Sequence, residues 1–381
     1  MKNYFLSIGC ILILMSTVSA EPNSFWIYNQ NYSGYCFGIN AEKITNDDYR
    51  EIIIASPIWS GGSIYYHNNG SGGFSVPYTE FSSDGCMYEI KLGQLLPLSP
   101  RKELALCGYG YGSGVQIYKH INYSLCLHQT LYLQNVFFRW CDWGRFDNNI
   151  YEDLVCSGCN NNAYIFKNIS GNLTSQPYLT VNVGGILTLV KLEELDNIYE
   201  DGFDDLLCVI DHQIKIFHNE GESFTEVQTI TVGANQAHPI IDFEVGDLDG
   251  DGYNDLICGI GLYIKVYENL GDGTFDDLPG HYQNFYYPHN QIALGELNYD
   301  GHPDLAIIND WEAKIFECTG SVSFETVCGW QGNDFADDQV CLEFADLHGR
   351  GAQSLITSYL NDDPEYSQWT YYCFVPLLTI I

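Results

Sequence analysis

Basic residues are scarce in this chain. Its 381 residues carry 15 Lys and Arg against 49 Asp and Glu, a formal net charge of −34. Such a surface repels phosphate backbones, which disfavours nucleic acid as a partner. Long apolar runs are also missing after residue 20. The last eleven residues, Tyr371 to Ile381, are apolar but contain Pro376 and are too short to cross a bilayer. They read as a final buried strand. Familiar catalytic motifs are lacking: there is no G-x-S-x-G elbow and no H-E-x-x-H. Gly108, Gly110, Gly112 and Gly114 have the wrong spacing for G-x-G-x-x-G. The ten His are scattered, and His120, His128, His218 and His302 read as surface residues in turns or at strand ends.

Proline is sparse at 12 residues, whereas Gly numbers 37 and aromatic residues make up 15%. Aromatic and β-branched runs broken by Gly, Asn and Asp point to many short strands with tight turns. The N-terminus is of another kind. Lys2, an apolar run from Phe5 to Met15, and Val18-Ser19-Ala20 make a secretory signal with cleavage expected after Ala20. The expected mature chain, 21–381, is then a single secreted or surface-associated domain with no transmembrane segment.

Fourteen cysteines fall to thirteen when Cys10 leaves with the signal, and an odd count requires one free or intermolecular thiol. Cys156, Cys208 and Cys258 occupy one equivalent position and read as packing, with Cys107 close to it. A disulfide is expected between Cys318 and Cys328, with Cys141–Cys159 and Cys341–Cys373 as further candidate pairs. Sequons at Asn31, Asn69, Asn122, Asn168 and Asn172 suit a glycoprotein.

Internal repetition organises the rest. The clearest copy, from Ile240, reads IIDFEVGDLDGDGYNDLICGIGLYIKVYENLGDGTF. It parses as a strand, an acidic Gly-containing loop, an apolar strand, an alternating strand and a hairpin turn into a fourth. One acid just before the second strand recurs at Glu51, Glu103, Asp153, Asp205, Asp255 and Asp304, with Ser354 in the last copy. The period of about fifty residues suits a propeller blade of four strands. Seven copies predict an all-β, seven-bladed β-propeller of four-stranded antiparallel blades. The first strand-like segment, Phe25 to Asn29, has no acidic loop before it, and the last copy lacks a fourth strand. The N-terminal strand is expected to complete that blade.

The acidic loop is a candidate metal site. Asp247, Asp249, Asp251 and Asp255 stand at positions 1, 3, 5 and 9, and Gly250 and Gly252 permit the turn. Tyr253 offers a backbone carbonyl at position 7. Converging carboxylates repel one another, and a hard cation with oxygen ligands relieves them. Calcium is the expected ion. An EF-hand is excluded by Cys258 at position 12 and by flanks that read as strands. Glu296, Asn298, Asp300 and Asp304 repeat the pattern. Asp147, Asn149 and Asp153 keep three of its positions, with Arg145 at the first.

GDLDGDGYNDL, then a strand, then YENLGDGTF resembles the FG-GAP/VCBS repeat family, found in the integrin α-subunit propeller and many extracellular proteins. The resemblance implies a seven-bladed propeller with calcium in the loops joining first and second strands. It also implies adhesion or ligand recognition on the opposite face. It carries over no ligand-contacting residue.

The expected function is recognition of an extracellular protein or glycan, without enzymatic activity. The competing reading is a propeller-based polysaccharide lyase or glycosidase. Trp59, Trp143, Trp311 and Trp330 are candidates either for stacking on a ligand or for filling gaps between blades.

Overall fold

The computed structural model describes residues 24–29, 38–44, 49–56, 62–66, 79–81, 86–97, 99, 101–109, 114–121, 124–195, 202–233, 239–284, 291–296, 300–308, 312–318, 320, 324–331, 341–346, 353–360 and 369–374. Strand β1 (Ser24–Asn29) comes first in the chain but pairs last. The first sheet runs β2 (Gly38–Glu42), β3 (Glu51–Ser56), β4 (Gly62–Tyr66) and β5 (Thr79–Phe81). The second runs β6 (Cys86–Gly93), β7 (Glu103–Tyr109), β8 (Val115–Ile121) and β9 (Ser124–Leu131). The third runs β10 (Phe138–Gly144), β11 (Asp153–Gly158), β12 (Asn162–Phe166) and β13 (Leu179–Asn182). The fourth runs β14 (Leu187–Glu193), β15 (Asp205–Ile210), β16 (Gln213–Asn219) and β17 (Phe224–Thr231). The fifth runs β18 (Ile240–Gly246), β19 (Asp255–Ile260), β20 (Tyr263–Tyr267) and β21 (His281–Asn284). The sixth runs β22 (Gln291–Gly295), β23 (Asp304–Ile308), β24 (Glu312–Cys318) and β25 (Phe324–Gln331). The last has β26 (Cys341–Ala345), β27 (Ser354–Leu360) and β28 (Trp369–Phe374), with β1 as its fourth strand.

These sheets form a β-propeller with four-stranded antiparallel blades. First strands of neighbouring sheets touch: β2 with β6, β6 with β10, β10 with β14, β18 with β22, β22 with β26, and β26 with β2. The fourth and fifth sheets share an apolar cluster in which Leu189, Val209 and Ile214 meet Phe243, Leu256 and Cys258. The N-terminal strand closes the last sheet as expected, with Ser24 opposite Phe374 and Asn29 opposite Trp369.

Every residue of β11, β15, β19 and β23, four of the second strands, is buried. That is the environment of a strand covered on both faces, and it explains the unbroken apolar runs. The third strand of the fifth sheet alternates at its start, as Ile264 and Val266 are buried while Tyr263 and Lys265 are partly exposed. At Gly93, on a first strand, the neighbouring sheet leaves no room for a side chain. A Cβ on Gly93 would lie 2.0 Å from the ring of Trp143 in the next sheet. Trp143 is buried and donates its indole N–H to the Lys91 carbonyl at 3.3 Å, so it fills an inter-blade gap. Trp59 and Trp311 lie outside the described residues, as does the side chain of Trp330.

Register aligns the first strands. Glu42, Gly93, Gly144, Glu193, Gly246, Gly295 and Ala345 each face the residue that opens the second strand. Two residues earlier comes a belt of Asn40, Lys91, Asp142, Lys191, Glu244, Ala293 and Glu343 on the innermost strands. Two residues earlier again stand Glu89 and Asp242.

Two expectations are corrected. Cys141 and Cys159, an expected pair, are unbridged, and the side chain of Cys373, expected opposite Cys341, lies outside the described residues. The register explains the hairpin pair: Cys318 faces Phe324, whereas Cys328 faces Ile315, so the two are out of step. The sequon at Asn168 is buried and fully hydrogen-bonded, which leaves no room for a glycan, whereas Asn172 is exposed. Asn31, Asn69 and Asn122 lie outside the described residues. Among the described residues no helix is long and apolar enough to cross a membrane.

Candidate metal centre

The loop from β18 to β19 is built by its own aspartates. Gly250 and Gly252 take φ of 80° and 92°, which a side chain would resist. Asp247 accepts the N–H of Gly250 at 2.7 Å and of Gly252 at 3.0 Å. Asp249 accepts from Asp251 at 3.1 Å, and Asp251 accepts from Tyr253 at 2.9 Å. These short-range bonds draw the loop into a tight coil. Carboxylate oxygens of Asp247, Asp249 and Asp251 end within 4.8 Å of one another. Three anionic oxygen donors this close suit a hard cation such as calcium in charge, donor type and spacing.

Asp255 stands apart from this trio. It is buried and accepts N–H from Asn269 at 2.9 Å and from Leu248 at 3.3 Å. Burial pushes its carboxyl up to about 6; those two N–H groups oppose the rise, and the charges of Asp249 and Asp251 add to it. The ring of Tyr253 covers Gly271, where a Cβ would lie 2.9 Å from it.

The next loop repeats the coil. Glu296 accepts from Gly301 at 2.9 Å, as Asp247 does from Gly252, and Asp300 accepts from His302 at 2.9 Å. Asp304 is buried and accepts from Cys318 at 3.4 Å, and Asn298 lies outside the described residues.

The loop expected to hold metal at Asp147, Asn149 and Asp153 meets a competitor. Its turn is the same, with Asn149 N–H on Asp147 at 2.8 Å and Tyr151 N–H on Asn149 at 2.6 Å. However, Lys167 reaches in from the end of the third strand and pairs with Asp147 and Glu222. Its ammonium also lies 4.7 Å from the ring of Tyr178, whose hydroxyl donates to Glu222 at 2.7 Å. A cation is already present here, supplied by the chain. Asp153 is buried and accepts from Asn168 at 2.6 Å and Phe146 at 3.0 Å. Burial, reinforced by Asp147 and opposed by those N–H groups, pushes it up to about 7.

The acids that mark the repeat therefore share a structural task. Glu51 accepts from Ile44, Glu103 from Leu95, and Asp205 from Asn219. Each ties its loop, its third strand or both to the start of the second strand. A partner residue, not foreseen from sequence, completes the arrangement. Asn219 ends its third strand, Asn168 and Asn269 stand just beyond theirs, and each side-chain amide bridges two sheets. Asn168 donates to Leu95 O at 3.0 Å, Asn219 to Phe146 O at 3.0 Å, and Asn269 to Leu195 O at 3.0 Å. Those carbonyls belong to the preceding sheet's loop. In the sixth sheet Cys318 takes this place and directs its thiol to Leu248 O at 2.9 Å. The signal lay in the Asn of KN, HN and EN, 14 or 15 residues after each acid.

Residues 197–258 and 247–307 match the family model of the FG-GAP-like repeat. The chain thus carries FG-GAP-like repeats across its fourth to sixth sheets. No curated protein sequence matches it. Solved structures similar to it include BBS1N in complex with ARL6DN, at 11% identity and a TM-score of 0.63 over 93% of this chain and 96% of that one. Sqt1 of Saccharomyces cerevisiae is similar at 9% identity and a TM-score of 0.59, over 93% and 99%. A lectin of Agrocybe aegerita that recognises non-reducing terminal N-acetylglucosamine is similar at 16% identity and a TM-score of 0.54, over 82% of each chain. At these identities the likeness is one of fold.

Proposed function

We propose that this chain, with its FG-GAP-like repeats, is a secreted, calcium-bearing propeller of seven blades that recognises an extracellular protein or glycan. The convergence of Asp247, Asp249 and Asp251 within a matched repeat carries the reading. Those three carboxylates would hold the ion, with the Tyr253 carbonyl and Asp255 as further donors. Glu296, Asn298, Asp300 and Asp304 would hold a second. Calcium, when bound, neutralises the loop and stiffens it. The chain's own part is to coil the loop and brace it through the buried acid and the bridging Asn. Sheets fixed in this way keep the loops at the other end of the strands in constant relative position, which a recognition surface needs.

Seven sheets and the contact of β26 with β2 support a single closed ring. A lectin that recognises a sugar and BBS1N in complex with ARL6DN, both similar in fold, support a recognition role. The absence of recognisable catalytic motifs favours binding over the lyase or glycosidase reading.

A glycan array and an extracellular-protein panel, probed with the calcium-loaded mature chain, test this. The expected result is repeated binding to one sugar terminus or one protein, lost with chelator or with Asp247→Asn/Asp249→Asn. Cleavage of a polysaccharide by the purified chain would overturn it.

A further inference from the structure

Cysteine occupies one buried position in three sheets, and in one of them it has a second sulfur opposite. Cys156, Cys208 and Cys258 each sit in a second strand and are wholly inaccessible. Their cross-strand neighbours differ. Cys208 faces Val190 and Lys215, and Cys258 faces Phe243 and Lys265, so neither meets sulfur by register. Cys156 faces Cys141 on the first strand of its own sheet. Directly opposed residues of an antiparallel pair put their side chains on one face. Cys141 and Cys156 therefore share a face.

That face is turned to the second sheet. Cys107 of β7 belongs to the same buried cluster, which takes Ala105 and Ile117 from its sheet and Phe138 and Leu154 from the third. Strand β7 packs directly on β10, the strand of Cys141. The Cys107 thiol is hydrogen-bonded with both Cys141 and Cys156. Three thiols from two sheets thus meet in an apolar interior, each with zero exposure. Packing alone asks only for small apolar side chains here, as at Cys208 and Cys258. It does not call for sulfurs in contact across a sheet boundary. A disulfide does, because it needs backbones that approach closely and sulfurs that face each other. Cys107 and Cys141 stand on the two strands that touch.

We propose that Cys107 and Cys141 form a disulfide that ties the second sheet to the third when the chain folds under oxidising conditions, leaving Cys156 as a thiol beside it. The oxidant is an external disulfide. The Cys107 thiolate attacks one of its sulfurs and expels a thiolate, and Cys141 then attacks the Cys107 sulfur of the mixed disulfide and expels the second. The two cysteines lose two protons and two electrons, and the oxidant leaves as two thiols. Burial pushes both protein thiols well above their ordinary range, which holds them protonated and slow once the sheets have closed. The exchange therefore belongs to folding. The secreted reading supplies such an oxidant in the cell.

The test maps the bond. The mature chain is made behind a host export signal, so that its own leader is not in question, and separately in a reducing cytosol. Each product is unfolded, treated with a thiol-alkylating reagent and digested without reduction. Mass spectrometry of the exported product is expected to find one peptide pair joined through Cys107 and Cys141, lighter by two hydrogens than the separate peptides. Cys156, Cys208 and Cys258 are expected to be alkylated. The exported parent is expected to melt above the cytosolic one. Cys107→Ala should abolish the joined pair and the shift, whereas Cys208→Ala should keep both. Alkylation of both Cys107 and Cys141 in folded exported protein overturns the proposal, as does a bond from Cys107 to Cys156 or to any other cysteine. The parent's peptide map decides this even where a variant does not fold. Reading the map in calcium and in chelator separates this outcome from failure of the metal loops.

Discussion

Asn269 donates its backbone N–H to Asp255 at 2.9 Å, and this pair joins the acidic loop to the end of the third strand. The Asn269 amide also reaches Leu195 O and Asn254 O, while its oxygen accepts from Gly271. All its polar capacity is spent within the protein. Asn269→Ala strands those groups in a buried site. It is expected to cost about 1–3 kcal/mol, the range for unsatisfied buried partners. The denaturation midpoint checks this, and an unchanged midpoint would refute the bridge.

Calcium binding to the native state alone raises stability with ion concentration. At a hundredfold excess over Kd the gain is about 2.7 kcal/mol per site. Differential scanning fluorimetry in calcium and in chelator should show the shift, and Asp249→Asn should remove part of it. A melting temperature indifferent to chelator contradicts metal in these loops.

Lys167 makes the third sheet's loop independent of added metal. Lys167→Met leaves Asp147, which is buried, without its cation. The expected cost is about 1–3 kcal/mol in chelator. Added calcium should recover more stability in this variant than in the parent. Equal recovery in both would show that the ammonium does not occupy the ion's place.

Glu193 supplies a pH test. Burial pushes its carboxyl up to about 8, against the pull of Lys191 and with Asp142, Asp204 and Glu244 adding to the rise. The folded state therefore holds this proton more tightly than the unfolded chain. Its contribution is fully present below the ordinary value of 4.5 and is lost as pH climbs through about 8. Metal-free protein should melt a few degrees lower at pH 8.5 than at pH 5. Glu193→Gln should flatten that slope; a slope as steep as the parent's would assign it to other groups.

Deleting 24–29 removes the strand that covers β28. The bared edge presents unpaired backbone groups to other chains. Size-exclusion chromatography should show aggregation, and melting should become broad and low. A monomer that melts like the parent would mean β1 is dispensable.

Much of this architecture was legible in the sequence. The acid before each second strand set the repeat, and runs such as LLCV and LIC marked strands covered on both faces. The coil at Asp247–Asp251 was readable because odd-numbered aspartates and two glycines allow few other conformations. The role of Asp255 was harder to see, since a carboxylate can ligate a metal or accept N–H groups, and spacing does not separate these. Lys167 was hidden for another reason. Its partner Asp147 lies twenty residues away, and Glu222 belongs to the next sheet. The interior charges were overlooked because each looked like an ordinary polar residue in its own strand. Only alignment of the first strands by register places Lys91, Asp142, Lys191 and Glu244 at one level.

The pairing of Ser24 with Phe374 has a consequence for biosynthesis. A ribosome delivers β1 before β2 to β27 and its partner after them, so the strand must wait while all of these are made. During that interval it is an adhesive segment without its mate. Successful maturation is then a contest between delivery of the partner strand and sticking to neighbours, in which slower synthesis or crowding would tip the outcome toward loss.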